Sequence, residues 1–264
     1  AAPQADHFEY AAVPAYAGEP YAVINGNQPF FTEEDMAPIQ EESYAELDDL
    51  GRCGVAMALV SPRTMPTSER GSIGMVRPSG WQTVRYSFVD GQYLYNRCHL
   101  IGYQLTAENA NTQNLITGTR YLNTEGMLPF ENQVASYVEG TGRPVLYRVT
   151  PVFIGEELVA RGVLMEALST EDGGDGVRFC VFCYNVQPGV AIDYTDGSST
   201  EAKTGPQQTN EAGLEYILNT NTKKFHKPDC QSAQDMSETN KQTFTGSREW
   251  LIDQGYEPCQ RCQP

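Results

Sequence analysis

Apolar residues along the chain fall mostly into short runs that alternate with polar positions and are punctuated by turn residues. Only one stretch shows a helical period. Residues 21–24 read as a short strand and Asn25-Gly26-Asn27 as the turn that follows. Residues 51–60 read as a buried strand, and residues 84–89, which alternate, as a strand closed by the turn Asp90-Gly91. Residues 94–100, 145–153, 158–167 and 177–185 read as further strands, the last two joined by the Gly- and Asp-rich hairpin loop 170–176. Thr32 and Asp35 have the spacing of a helix start. Residues 41–50 fit either a short helix or an acidic solvated turn, and the turn is favoured. Pro129 suits the first turn of a helix that carries Phe130, Val134, Tyr137 and Val138 at helical spacing, runs to about Glu139 and stops at Gly140. The pattern predicts an α+β fold around a central antiparallel sheet.

The polar character of residues 188–212 marks a boundary, and 198–212 reads as a linker. The expected organisation is a large domain over 1–197, the linker, and a small module over 213–264 in which residues 247–255 form a helix. Ala1 to Ala5 include no initiator Met and no signal sequence, so they read as a mature or trimmed start.

Composition narrows the function classes. Hydrophobic residues make up 40% of the 264, enough for a core, and no run approaches the ~18 apolar residues of a spanning helix. A net charge of −16 argues against gripping nucleic acid through a general basic surface. It leaves room for a local site with a divalent cation and a few arginines. Arg97, Arg120, Arg143 and Arg148 cluster mid-sequence where a basic groove would be wanted, and Arg63 and Arg70 lie in a proline-containing loop from which either a phosphate or solvent is reachable.

The chain has three histidines. His7 lies in an irregular N-terminal segment and His226 among cysteines, which leaves His99 as the imidazole available for general base work. It follows Arg97 and precedes Asn109, Asn111, Asn114 and Asn123. Unpaired buried amides cost about 1–3 kcal/mol each, so a metal or phosphate site would account for such a cluster. A satisfied core histidine beside asparagine-rich turns is the competing reading.

Asn96-Arg97-Cys98-His99 resembles the Asp-Arg-Gly-His signature of the DNA/RNA non-specific endonucleases, which have the ββα-metal (His-Me finger) fold. The continuation 114–121 (Asn-Leu-Ile-Thr-Gly-Thr-Arg-Tyr) and 129–132 (Pro-Phe-Glu-Asn) is similar to the secreted streptodornase-like branch, over roughly residues 20–200. The resemblance implies two strands followed by a helix as the catalytic unit. It implies His99 as general base, Asn123 as the protein ligand of a hydrated Mg2+ or Mn2+, and Glu131 as the residue that orients water on that ion. Asn114 would position the histidine region or the phosphate, and Arg97 or a loop arginine would balance transition-state charge. The substrate would be DNA, and RNA by the same chemistry, and the location extracellular. Asn96 and Cys98 replace the family's Asp and Gly, as is usual in that branch. Gly126 and Pro129 make a regular helix from Asn123 to Glu131 doubtful.

The tail carries separate chemistry. His226-x3-Cys230 and Cys259-x2-Cys262 supply the four N/S ligands of a structural Zn2+, and about 50 residues need such a staple. A disulfide between two of these cysteines, with His226 incidental, is the other reading. The tail resembles a small metal-binding appendage of extracellular bacterial nucleases and, in form, the zinc module of DNA-repair methyltransferases. Cys180 and Cys183 sit three apart on a strand and so on opposite faces; one pairs with Cys53 or Cys98, or both stay buried thiols. The runner-up function is a non-catalytic nucleic-acid or cell-envelope binder that uses the tail.

Overall fold

The computed structural model describes residues 7–37, 42–202, 214–246, 251–252 and 255–262. The chain divides into two compact units, Ala1–Pro14 with Gly18–Ala202 and Ala15–Ala17 with Lys203–Pro264. In the first, β1 (Tyr21–Val23), β2 (Glu42–Tyr44), β3 (Ala56–Val60), β6 (Val145–Val152), β7 (Gly162–Ser169) and β8 (Arg178–Tyr184) form an antiparallel sheet in the order β1-β8-β7-β6-β3-β2. A separate pair, β4 (Tyr95–His99) and β5 (Leu115–Thr119), brackets the short α1 (Tyr103–Thr106), and α2 (Leu128–Thr141) follows β5. The fold is α+β, as the alternation predicted.

The register shows why β6 to β8 read so clearly. Val145, Tyr147 and Val149 alternate on β6 and enter the same core as Val163, Met165 and Ala167 of β7 and Val134 and Val138 of α2. Each such side chain contributes about 1.5–3 kcal/mol when fully buried. The opposite face of the sheet is also covered. Phe182 stacks on Phe8, and Arg148 is bound by Glu166 and Asp35 beneath the ring of Phe31. Arg148 is therefore part of a partly buried ionic lock. With Arg143 paired to Glu171, the four mid-sequence arginines do not make one basic groove; of them, only Arg97 and Arg120 reach the cavity described below.

Several expected elements are placed differently. Residues 84–89 are not a strand: Arg85 makes a lone bridge to Tyr93, and the chain reverses through Gly91 and Gln92, both at positive φ. Phe88 is exposed, so its alternation with Tyr86 marks no buried face. The strand that pairs with β4 is the downstream β5, which lacks alternation because all five of its residues are buried. Glu42–Tyr44 is a strand pairing with β3, not a solvated turn. Helix α2 continues past Gly140 to Thr141 and ends at Gly142, whose φ of 72° suits a residue without Cβ. Thr32 and Asp35 do cap one another, but over a single turn.

β9 (Val190–Ile192) pairs with β10 (Ser199–Glu201), a strand within the stretch read as linker; residues 203–212 lie outside the described residues. In the second unit β11 (Leu214–Asn219), β12 (Lys224–His226), β13 (Lys241–Gly246) and β14 (Glu257–Pro258) form a sheet ordered β13-β11-β12-β14. The helix expected over 247–255 falls mostly outside the described residues. Among the described residues no helix is long and apolar enough to cross a membrane.

Candidate active site and metal cluster

His99 is the last residue of β4, and its ring is 6% exposed at the edge of a cavity of about 700 Å3. Nε2 lies 2.7 Å from the carbonyl of Asn109, and Nδ1 lies 3.3 Å from Nη2 of Arg70. A carbonyl only accepts and a guanidinium only donates. The partners thus assign the proton to Nε2 and leave the Nδ1 lone pair on the cavity side. Burial, with the nearby Arg70 charge acting in the same direction, pushes the imidazole down to about 4, so the ring is neutral at physiological pH.

Arg97 precedes it by two residues, yet its guanidinium donates to the carbonyls of Val76 and Gly74 and lies over the Trp81 ring, 4.1 Å from its centroid. It clamps the loop that delivers Arg70. Arg70 itself forms no ion pair among the described residues. Asn114 does not line the cavity. It is 0% exposed, and its amide accepts from the Ile101 N–H and donates to the Ile101 carbonyl, both at 2.9 Å. It pins the backbone just beyond His99. Asn114→Ala would orphan both Ile101 groups, and a destabilisation of about 3 kcal/mol in urea unfolding is expected; a change within a few tenths would show the staple to be dispensable.

Asn123 and Glu131 reach the cavity from the helical segment after β5. Leu122–Met127 is a π-helical turn that runs directly into α2. Eight residues of regular α-helix leave two side chains about 80° apart. The residue added by a π turn makes eight count as seven, within about 20° of two full turns. This irregularity faces Asn123 and Glu131 the same way. Gly126 permits it by packing where a Cβ would meet Cys183 at 3.3 Å. Asn123 Oδ1 accepts from the Cys98 thiol at 3.2 Å. Glu131 is buried against Gly102, and burial raises its carboxyl to about 7. A Cβ on Gly102 would stand 2.7 Å from Glu131 Oε1, so a larger residue here would push this carboxylate from its position.

The donor set can be tested against a metal. An amide oxygen and a carboxylate beside a polar cavity with room for waters match a hard cation such as Mg2+ or Mn2+. The Asn96 Nδ2, buried without a partner at the same cavity, is a donor left for a water or a phosphate oxygen. Sequence reasoning missed the carbonyl of Asn109 and the cavity wall of Trp81, Tyr93 and Tyr103; a backbone acceptor has no residue-type signal.

In the second unit, the ligand atoms of His226, Cys230, Cys259 and Cys262 all lie within 4.8 Å of one another. Three sulfurs and an imidazole at that spacing fit the soft, tetrahedral preference of zinc. The Lys227 N–H points at Cys262 Sγ at 3.4 Å, a donor suited to a thiolate. All seven cysteines are free, so neither a tail disulfide nor a pairing of Cys180 or Cys183 with Cys53 or Cys98 is formed. The Cys53 thiol donates to the Leu115 carbonyl, and Cys183 lies against the sulfur of Met165.

The sequence profile of the DNA/RNA non-specific endonucleases matches residues 32–171. No curated protein matches the chain. Among solved structures, NucA from Streptococcus agalactiae with no metal bound is similar at 23% identity and TM-score 0.63, over 73% of this chain and 92% of that one. Its magnesium-bound form matches at 22% and 0.63, over 73% and 93%. Sda1 nuclease with bound zinc ion matches at 27% and 0.53, over 62% and 82%. The NucA likenesses speak to the fold; the profile, over more than half of the chain and including the whole β4-to-α2 unit, places this chain in the DNA/RNA non-specific endonuclease family.

Proposed function

We propose that the chain is a secreted endonuclease that uses a divalent cation and His99 to hydrolyse the phosphodiester bonds of DNA, and of RNA by the same chemistry. The observation that carries the reading is the state of His99: neutral, with Nε2 against the Asn109 carbonyl, Nδ1 covered by Arg70, and the ring on the cavity that Asn123 and Glu131 also line. Nδ1 takes a proton from the attacking water. Arg70, which sits on Nδ1, is the group an entering phosphate attracts; moving onto the phosphate uncovers the base and balances charge as the phosphorane forms. Arg97 acts through that loop, holding Gly74 and Val76. Asn123, oriented by the Cys98 thiol, would hold Mg2+ or Mn2+ with Glu131 orienting water nearby. The ion would supply positive charge beside the phosphate oxygens. The secreted location is supported by the streptodornase-like motifs, and a structural Zn2+ in the tail by the ligand cluster.

Digestion of plasmid DNA and of RNA with Mg2+, with Mn2+ and with EDTA tests the reading. Cleavage that needs the divalent ion supports it, and absence of cleavage with every divalent ion would overturn it.

Arg70→Ala gives a second check through pH. His99 must be neutral to act, so activity falls as pH drops through its pKa. Removing the Arg70 charge lets that pKa rise from about 4 toward its ordinary value, and the acid limb of kcat/KM moves to higher pH. At neutral pH the rate falls by about a hundredfold from the lost cation. An acid limb that stays in place would separate Arg70 from His99.

A further inference from the structure

Arg120 and Tyr93 share the cavity with His99 but take no part in the chemistry above. Both belong to the wall made by the irregular hairpin of residues 84–94 and the start of the helical segment. Arg120 Nε and Nη2 lie 3.0 and 2.7 Å from one oxygen of Asp90, at the hairpin tip. The Arg120 side chain is 35% exposed and that of Asp90 79%. An ion pair so exposed stabilises by only about 0–1 kcal/mol, so it is displaced at little cost. Tyr93 is 45% exposed, with the Arg85 guanidinium 4.3 Å from its ring centroid.

We propose that this wall is a subsite for the nucleotide next to the scissile phosphate: Arg120 takes the adjacent phosphate, the Tyr93 ring stacks the base, and Asp90 is an internal anion that occupies Arg120 until the substrate replaces it. The inference rests on the nuclease reading and specifies its substrate.

The chemistry of each member fits. Two N–H groups of a guanidinium already aimed at a single carboxylate oxygen present the fork that a phosphate accepts. An exposed ring beside a cation stacks any base without reading its sequence. A base lying on Tyr93 must leave the stack of its neighbours, so the subsite takes a single-stranded or locally opened segment. In a chain of net charge −16, an acid that sequesters one of the few cations at the cavity also limits binding of inorganic anions such as phosphate, which offer no base to the ring.

Binding is measured by fluorescence anisotropy with a short fluorescein-labelled single-stranded DNA and the matching duplex, on the full chain carrying His99→Ala. Added Arg120→Ala should weaken single-strand binding and lower the slope of log K against log salt by about one. Added Asp90→Asn should tighten binding. Added Tyr93→Ala should weaken the single strand by about tenfold, with little change on duplex and none in salt slope, and Tyr93→Phe should restore it. A merely structural ion pair would make Arg120→Ala and Asp90→Asn shift binding in one direction, and that result, or no shift, would overturn the subsite. Failure of the nuclease reading shows separately, as no plasmid cleavage by the unaltered chain.

Discussion

Alanine in place of His99 lowers phosphodiester cleavage by about a thousandfold, the contribution of a positioned general base, while the chain stays folded. The side chain is buried at the cavity edge and its hydrogen bond to Asn109 is worth about 1 kcal/mol, so the alanine variant loses some stability without losing the fold. His99→Gln sharpens the result. A glutamine amide can donate to the Asn109 carbonyl but offers no basic nitrogen, so the loop geometry is kept and the base is removed. Both variants should unfold in a single cooperative transition, the glutamine variant nearer the wild-type midpoint, and both should bind oligonucleotide. If either keeps more than about a tenth of the cleavage rate with Mg2+ present, the base lies elsewhere.

The parts of this site differ in how far residue types reveal them. His99 stands out by scarcity, and Asn123 and Glu131 lie on its cavity where motif spacing expects them. That spacing works only through the π turn, and the sequence shows the turn indirectly, as a conflict between Gly126, Pro129 and a regular helix. Arg97 is prominent in the motif, but its guanidinium is spent on two backbone carbonyls. The cation nearest His99 is Arg70, from a loop 29 residues earlier whose path no local pattern sets. Asn114 belongs to the same motif and faces away from the cavity, because its amide is saturated by Ile101.

The fold divides similarly. β6 to β8 are legible because their side chains alternate or run apolar against a large core. β5 escapes because Thr, Gly and Thr are buried by tight packing: a Cβ on Gly118 would stand 2.6 Å from that of Cys98. Residues 84–89 mislead for the opposite reason, since their alternation serves an exposed turn. The arginine cluster misleads too, because sequence proximity does not show that Glu166, Asp35 and Glu171 claim two of its members.

If the four-ligand cluster holds the proposed zinc, a chelator is expected to unfold the second unit while the first unit stays folded. Among the described residues the second unit's apolar core is small: Tyr216, Leu218, Phe225, Phe244 and Leu251 in one cluster, and Ile217 and Ala233 beside the ligand cysteines in another. Such a core supplies at most ~3–5 kcal/mol, whereas binding of a structural Zn2+ by a finger-sized peptide is worth ~10–16 kcal/mol near neutral pH. Without an ion, burial and the neighbouring thiols push the Cys262 thiol up to about 11, so this donor keeps its proton at neutral pH and has no cation to bind. The purified chain should therefore carry one equivalent of zinc by elemental analysis. A strong chelator, or Cys259→Ser, should make residues 214–262 protease-sensitive and leave residues 18–202 resistant. EDTA alone would also stop cleavage, so the two effects are separated by adding back Mg2+. Every residue proposed for catalysis lies in the first unit, and Mg2+ should restore cleavage without restoring protease resistance to the tail. A tail that stays resistant after chelation, with no zinc in the starting protein, would mean that its apolar core folds these residues and that the four ligands converge without an ion.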